Sequence, residues 1–166
     1  VYIGLEPEPK MEIPVSYFAY GSNLCKKQME KRLGRVPPAR RACLAGYRIA
    51  FNKRGRHQGE VYANIVQQDG SHVWGVVYHL QPDELAKLNR CEGMPQGHYR
   101  RGTVDVVTEA GDTVHAETYF AGEQWLCPEA RPSKEYAHKI LGGAREHGLP
   151  EEYLRSLERL TGTSTS

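Results

Sequence analysis

Two stretches of this chain place a short glycine-containing turn between β-favouring runs. VYANIV and HVWGVVYHL flank QQDG, with Asp69-Gly70 at the turn, and TVDVVT and HAETYFA are joined through Ala110-Gly111-Asp112. Turns of this chemistry tie consecutive strands into antiparallel hairpins. A chain built on such hairpins is directed toward an antiparallel sheet. Residues 15–20 read as a further strand, and CLAGYRIAF (43–51) alternates Tyr47, Ile49 and Phe51 on one face. VPPARR (36–41) and the polar NKRGRHQGE (52–60) read as loops.

Helices fill the remainder. Ser22 or Asn23 is placed to cap a helix over about 24–33, stopped by Gly34. Pro82 opens PDELAKLNRC, closed by Gly93. Ser133 caps a helix through about 147, whose middle Gly142-Gly143 weakens, and Pro150 starts the amphipathic EEYLRSLERL. The sum is an α+β fold: six or so strands in a small, mostly antiparallel sheet able to close into a β-barrel, with peripheral helices.

The chain has 166 residues, of which 39% are hydrophobic, enough for one domain with a core. Residues 15–160 are expected to form it, after a flexible lead-in at 1–14 rich in Pro and Glu and before a flexible tail at 161–166. Lys+Arg 22 against Asp+Glu 20 gives no charge bias toward nucleic acid or membrane. No apolar run reaches the roughly 18 residues of a spanning helix. The cysteines at 25, 43, 91 and 127 form no C-x-x-C pair, and free thiols suit a reducing, cytoplasmic setting.

Most chemistry-bearing motifs are missing. There is no G-x-S-x-G elbow, P-loop or dinucleotide-binding glycine pattern. Glu135-x-x-His138 is one pair on a helix and does not make a metal site; two surface side chains explain it better. The cluster Lys53-Arg54-Gly55-Arg56-His57 reads as a solvated loop. Cys25, near a helix start, has the position of an activated thiol but no His that the sequence places beside it.

Two features remain. In YFAYGSNL (17–24) an aromatic strand end runs into Gly21, Ser22 and Asn23. Backbone N–H groups at such a strand-to-helix corner lack helical partners, and Gly21 lets a ligand approach closely. A plain capped turn explains the same residues equally well. The second is LNRCEGMPQGHY (88–99), where Glu92 falls at the carboxyl end of a helix. That is the dipole's negative pole, the wrong end for an anion, and the placement suits a proton acceptor. An exposed Glu at a frayed helix end is the alternative.

Together with PSKEYAHKILGGAREHGLPEEYLRSL and VWGVVYHL, these blocks resemble the gamma-glutamylcyclotransferase family in order and spacing, over about residues 16–160. The carboxyl-terminal block looks closer to the gamma-glutamyl-amino-acid branch. The resemblance implies release of 5-oxoproline from a gamma-glutamyl amide by attack of the substrate's own α-amine, without cofactor or metal. It implies Glu92 as general acid/base. Tyr17, Phe18, Ala19, Tyr20, Gly21, Ser22, Asn23 and Leu24 would form the substrate-binding segment, with Tyr99 and Tyr136 lining the pocket. It further implies a small-molecule partner and a homodimer. His98, Arg100 and Arg101 beside Tyr99 depart from the pattern and leave the leaving amine open, a natural-product intermediate included. A non-catalytic binding relative is the rival reading.

Overall fold

The structure, a computed structural model, describes residues 13–164. Among them five strands close a barrel in the order β1-β3-β2-β4-β5. They are β1 (Val15–Ala19), β2 (Ala39–Arg54), β3 (Val61–Leu80), β4 (Tyr99–Thr108) and β5 (Thr113–Ala121). Every ladder is antiparallel except the closing one, where β1 meets β5 parallel at Tyr17 and Glu117. Four helices surround it: α1 (Lys26–Leu33), α2 (Pro82–Cys91), α3 (Lys134–Glu146) and α4 (Glu151–Thr161). No described helix is long and apolar enough to cross a membrane. Most of residues 1–14 lie outside the described part. At the other end Thr161 closes α4, and Thr163 is buried.

The β4–β5 hairpin forms where expected, with Gly111 in the left-handed region. The hairpin expected at Asp69-Gly70 does not form. VYANIV and HVWGVVYHL are two halves of one strand, β3, and both pair with β2. The reading of 36–41 and 52–60 as loops cut β2 short; it runs 16 residues, from Ala39 to Arg54. Ala45 pairs with His72 and Tyr47 with Gln67, so three extra residues bulge from β3. Gly46 at φ 82 and Gly70 at φ 81 absorb the mismatch. The DG signal was real as a left-handed position; what it marks is a bulge.

The core lies inside the barrel and under α3 and α4. Phe18, Val76, Val77, Tyr78, Leu80, Ile140 and Leu157 are at most 1% exposed. Burying each large apolar side chain contributes about 1.5–3 kcal/mol. Ser133 caps α3 by accepting from the Tyr136 N–H at 3.2 Å. Gly142-Gly143 does not break α3, which is continuous to Glu146. The two glycines differ. A Cβ on Gly142 would meet nothing within 4 Å, whereas one on Gly143 would overlap the backbone of Leu24. Gly143 is the contact by which α3 seats against the turn that follows β1.

Substitution should separate the pair. Gly142→Ala should raise stability by about 0.5–1 kcal/mol through helix propensity. Gly143→Ala should lower it by about 1–3 kcal/mol through overpacking against Leu24. Urea unfolding of the two variants, read as midpoints at constant slope, checks this.

Candidate active site

The strand-to-helix corner has a different form from the one its sequence suggested. Ser22–Leu24 is a single 3-10 turn, Cys25 is extended, and α1 begins at Lys26. The Leu24 N–H donates to Gly21 O and the Cys25 N–H to Ser22 O, both at 3.0 Å. The N–H groups of Gly21, Ser22 and Asn23 precede these two bonds. The expected α-helix dipole at Leu24 is displaced to Lys26. The core side clamps the corner: Tyr78 OH donates to Asn23 O at 2.8 Å, and His147 Nε2 lies 3.0 Å from Leu24 O. A carbonyl only accepts, so Nε2 carries the His147 proton. Burial holds the imidazole below its ordinary pKa.

Asn23 does not cap the helix; it joins three elements. Its Nδ2 donates to Tyr17 OH at 2.9 Å and to Glu92 Oε1 at 3.0 Å. Its Oδ1 accepts from Gln28 at 3.0 Å and from Arg32 at 2.8 Å. The guanidinium only donates and the carboxylate only accepts, which fixes the amide's orientation.

Glu92 caps the carboxyl end of α2, its N–H donating to Leu88 O at 2.8 Å. The lone carboxylate expected at a negative pole is in fact paired. Arg32 Nη1 lies 2.9 Å from Oε1, with both side chains partly buried. Asn23 and Arg32 both use Oε1, and Oε2 makes no hydrogen bond among the described residues.

Two cavities meet at Glu92. The inner is a pit of about 30 Å³ walled by Tyr17, Tyr20, Tyr99, Tyr119 and Tyr136, with Gly21, Ser22, Asn23 and Ala63. The outer has about 470 Å³ and shares Ser22, Glu92, Tyr99 and Tyr136 with it. Burial raises the pKa of all five phenols, and the Glu92 charge adds to this, so they are neutral at physiological pH. Three commit their protons inward: Tyr20 OH to Tyr119 O at 2.6 Å, Tyr99 OH to Ala63 O at 2.8 Å, Tyr119 OH to Asn89 at 2.6 Å. The other two accept instead, Tyr17 OH from Asn23 and Tyr136 OH from the Ala63 N–H at 3.1 Å. Their own protons have no acceptor among the described residues.

Of the ten residues expected to bind substrate, seven line these cavities: Tyr17, Tyr20, Gly21, Ser22, Asn23, Tyr99 and Tyr136. Phe18, Ala19 and Leu24 do not; each is fully buried in the core. Arg100 packs over the Phe120 ring and Arg101 lies 3.4 Å from Glu117, and neither lines the two cavities. Cys25 lines neither cavity. Sequence reasoning missed Arg32, Tyr119 and Lys53. Lys53 is only 3% exposed, not part of a solvated loop. Extending the 47, 49, 51 alternation by one step would have reached it.

Asn23→Asp should test the network. It preserves shape but turns the donor facing Glu92 into a carboxylate oxygen. Stability should fall by about 1–3 kcal/mol at neutral pH. The loss should shrink as pH falls through the carboxylate range near about 4. Denaturant midpoints of variant and wild type at the two pH values check this.

Comparison with known proteins identifies the family. The AIG2-like family matches residues 72–157. Gamma-glutamylcyclotransferase of Homo sapiens is 34% identical over 153 residues, covering 87% of this chain and 77% of the relative. The Mus musculus protein of the same name is 32% identical over 151 residues, with the same coverage. A solved gamma-glutamyl cyclotransferase superposes with a TM-score of 0.77 at 32% identity, covering 87% of this chain and 86% of that one. The matching family, relatives and barrel fold place the chain in the gamma-glutamylcyclotransferase family of AIG2-like proteins.

Proposed function

We propose that the protein converts a gamma-glutamyl amide to 5-oxoproline and a free amine, with Glu92 carrying the proton. One observation supports this most: a carboxylate at the junction of two cavities, anchored through one oxygen and with the other unoccupied. A pit of about 30 Å³ has room for about two water-sized groups, so it takes one tip of the glutamyl moiety, and the leaving portion lies in the outer cavity.

The nucleophile is already in the substrate, so the protein's first task is conformational. The neutral phenols of the pit press the glutamyl chain into a ring-closing shape. An α-ammonium of pKa about 7.7–8.0 must lose a proton before it attacks. Glu92 Oε2 takes it, while Asn23 and Arg32 hold Oε1 and fix the carboxylate's plane. The amine nitrogen bonds to the γ-carbonyl carbon, and negative charge develops on the carbonyl oxygen. Tyr136 OH and Tyr17 OH, with the N–H groups of Gly21 to Asn23, are the donors placed to stabilise it. The amide C–N bond then breaks, and Glu92 returns the proton to the departing nitrogen. Atoms balance without water, oxidant or cofactor.

Glu92→Gln tests the assignment with little disturbance. The amide oxygen still accepts from Asn23 and Arg32, but the proton acceptor is gone. With a gamma-glutamyl amino acid as substrate and 5-oxoproline followed by mass spectrometry, kcat should fall by about 10²–10⁴. The dissociation constant should stay within a few-fold. Wild-type turnover in the variant would overturn Glu92 as the proton carrier. No 5-oxoproline from wild type with any gamma-glutamyl amide would overturn the reaction.

A further inference from the structure

Lys53 is an ammonium buried in the wall of the outer cavity. Burying a charge costs several kcal/mol unless a partner offsets it. Among the described residues no carboxylate pairs with it. Nζ lies 2.6 Å from His98 Nδ1. An ammonium only donates, so Nδ1 accepts and the imidazole proton is on Nε2. His98 is itself buried, stacked on Trp125 at a centroid distance of 3.5 Å. Nζ also stands over the rings of Trp125, Tyr99 and Tyr62 at 4.8, 5.3 and 5.6 Å. Aromatic faces and one imidazole hold the cation in place but do not neutralise it.

The surroundings strengthen the point. Four cationic side chains line the outer cavity, Arg32, Lys53, Arg56 and Lys139, against two carboxylates, Glu60 and Glu92. Arg32 is taken by Glu92. The Glu60 carboxylate accepts from the His57 N–H at 2.9 Å and from Tyr62 OH at 2.8 Å. Lys53, Arg56 and Lys139 have no ion pair among the described residues. Lys53 lines the outer cavity and not the pit, and so faces the leaving portion of the substrate.

We propose that Lys53, fixed by His98, determines specificity by receiving an anionic group on the leaving amine, with Arg56 and Lys139 at the rim favouring the same charge. This rests on the cyclotransferase reading and names the residue that would discriminate, among gamma-glutamyl amides, in favour of those whose leaving amine carries a carboxylate. Lys53 supplies the counter-charge and Glu92 moves the proton, so the two have separable effects.

Two substrates of nearly equal size separate them. Gamma-glutamylalanine carries the carboxylate and gamma-glutamylethylamine lacks it. Wild type should favour the first by about 10- to 100-fold in kcat/KM, the range of one charge-assisted contact. Lys53→Met should bring the ratio toward one, mainly by raising KM for gamma-glutamylalanine. A second measurement uses wild type alone. Burial lowers the Lys53 pKa to about 8, with Glu92 and Glu60 opposing and Arg54 and Arg56 assisting. His98, which faces it, is lowered by burial and by the same cations. Lys53 is charged below that value and neutral above it. The preference should therefore hold at lower pH and fall as pH rises through about 8, since kcat/KM follows the free enzyme's groups. Titration of the glutamyl α-amine is common to both substrates and cancels in the ratio. A ratio unchanged by Lys53→Met and flat through that pH would overturn the proposal. If the variant does not fold, the wild-type pH series decides. Product from neither substrate would remove the cyclotransferase reading, and this inference with it.

Discussion

The buried side-chain amide of Asn23 holds the site together. Two donors and two acceptor positions are available to it, and all four are used, by Tyr17, Glu92, Gln28 and Arg32. Those partners come from β1, the end of α2, and α1. A polar network inside a protein stabilises only when every member is satisfied; a half-satisfied one is worse than an apolar core. Asn23 itself is fully satisfied at 3% exposure, with its main-chain carbonyl bound by Tyr78 as well. The two open positions of the network, the Tyr17 proton and Glu92 Oε2, belong to residues that line the pit. The position of Glu92 relative to the corner is thereby set by hydrogen bonds of fixed geometry.

The same network explains how the carboxylate proposed as the proton carrier can be anchored and still keep one oxygen unoccupied. Anchoring uses Oε1 alone. A carboxylate bound through both oxygens would be held as firmly but would offer a proton no unoccupied place. The pit around it contains phenols, not cations, and burial keeps them protonated. They donate hydrogen bonds without competing for Glu92's charge. Apart from Arg32, which pairs with Glu92 at the junction, the cations lie in the outer cavity. Charge is thus graded along the cavity: neutral donors within, the Glu92–Arg32 pair at the junction, and Lys53, Arg56 and Lys139 in the outer part.

What the sequence made legible was local. The β4–β5 hairpin, the Pro82 start of α2 and the Ser133 cap of α3 depend on residues within a few positions of one another, and each formed as expected. Glu92 at a helix end was legible for the same reason. The misses are long-range. Arg32 meets Glu92 across 60 positions, and Lys53 meets His98 across 45. No periodicity reports such a meeting. Asp69-Gly70 misled because a left-handed glycine serves a bulge as well as a hairpin, and only the length of β2 distinguishes them. Gly143 read as a helix defect because its benefit lies on another element, at Leu24.

The division of the cavity also has a topological basis. The pit is built from β1, the turn behind it, β3, β4, β5 and α3, whose backbones are held by ladder or helix bonds. Reaction geometry tolerates errors of only about 0.5 Å, and such elements can hold it. Much of the outer cavity comes from the β2–β3 loop, with Arg56, His57 and Glu60, and from the segment after Glu92 that carries His98. Loops accept substitution and changes of length more readily than a closed barrel does. In the proposed reaction, a change of leaving group can therefore be accommodated in the loops without moving Glu92 or the phenols. Lys53 stands at the boundary, near the end of β2 where its strand gives way to the loop. It is placed with the rigidity of the first part and faces the chemistry of the second.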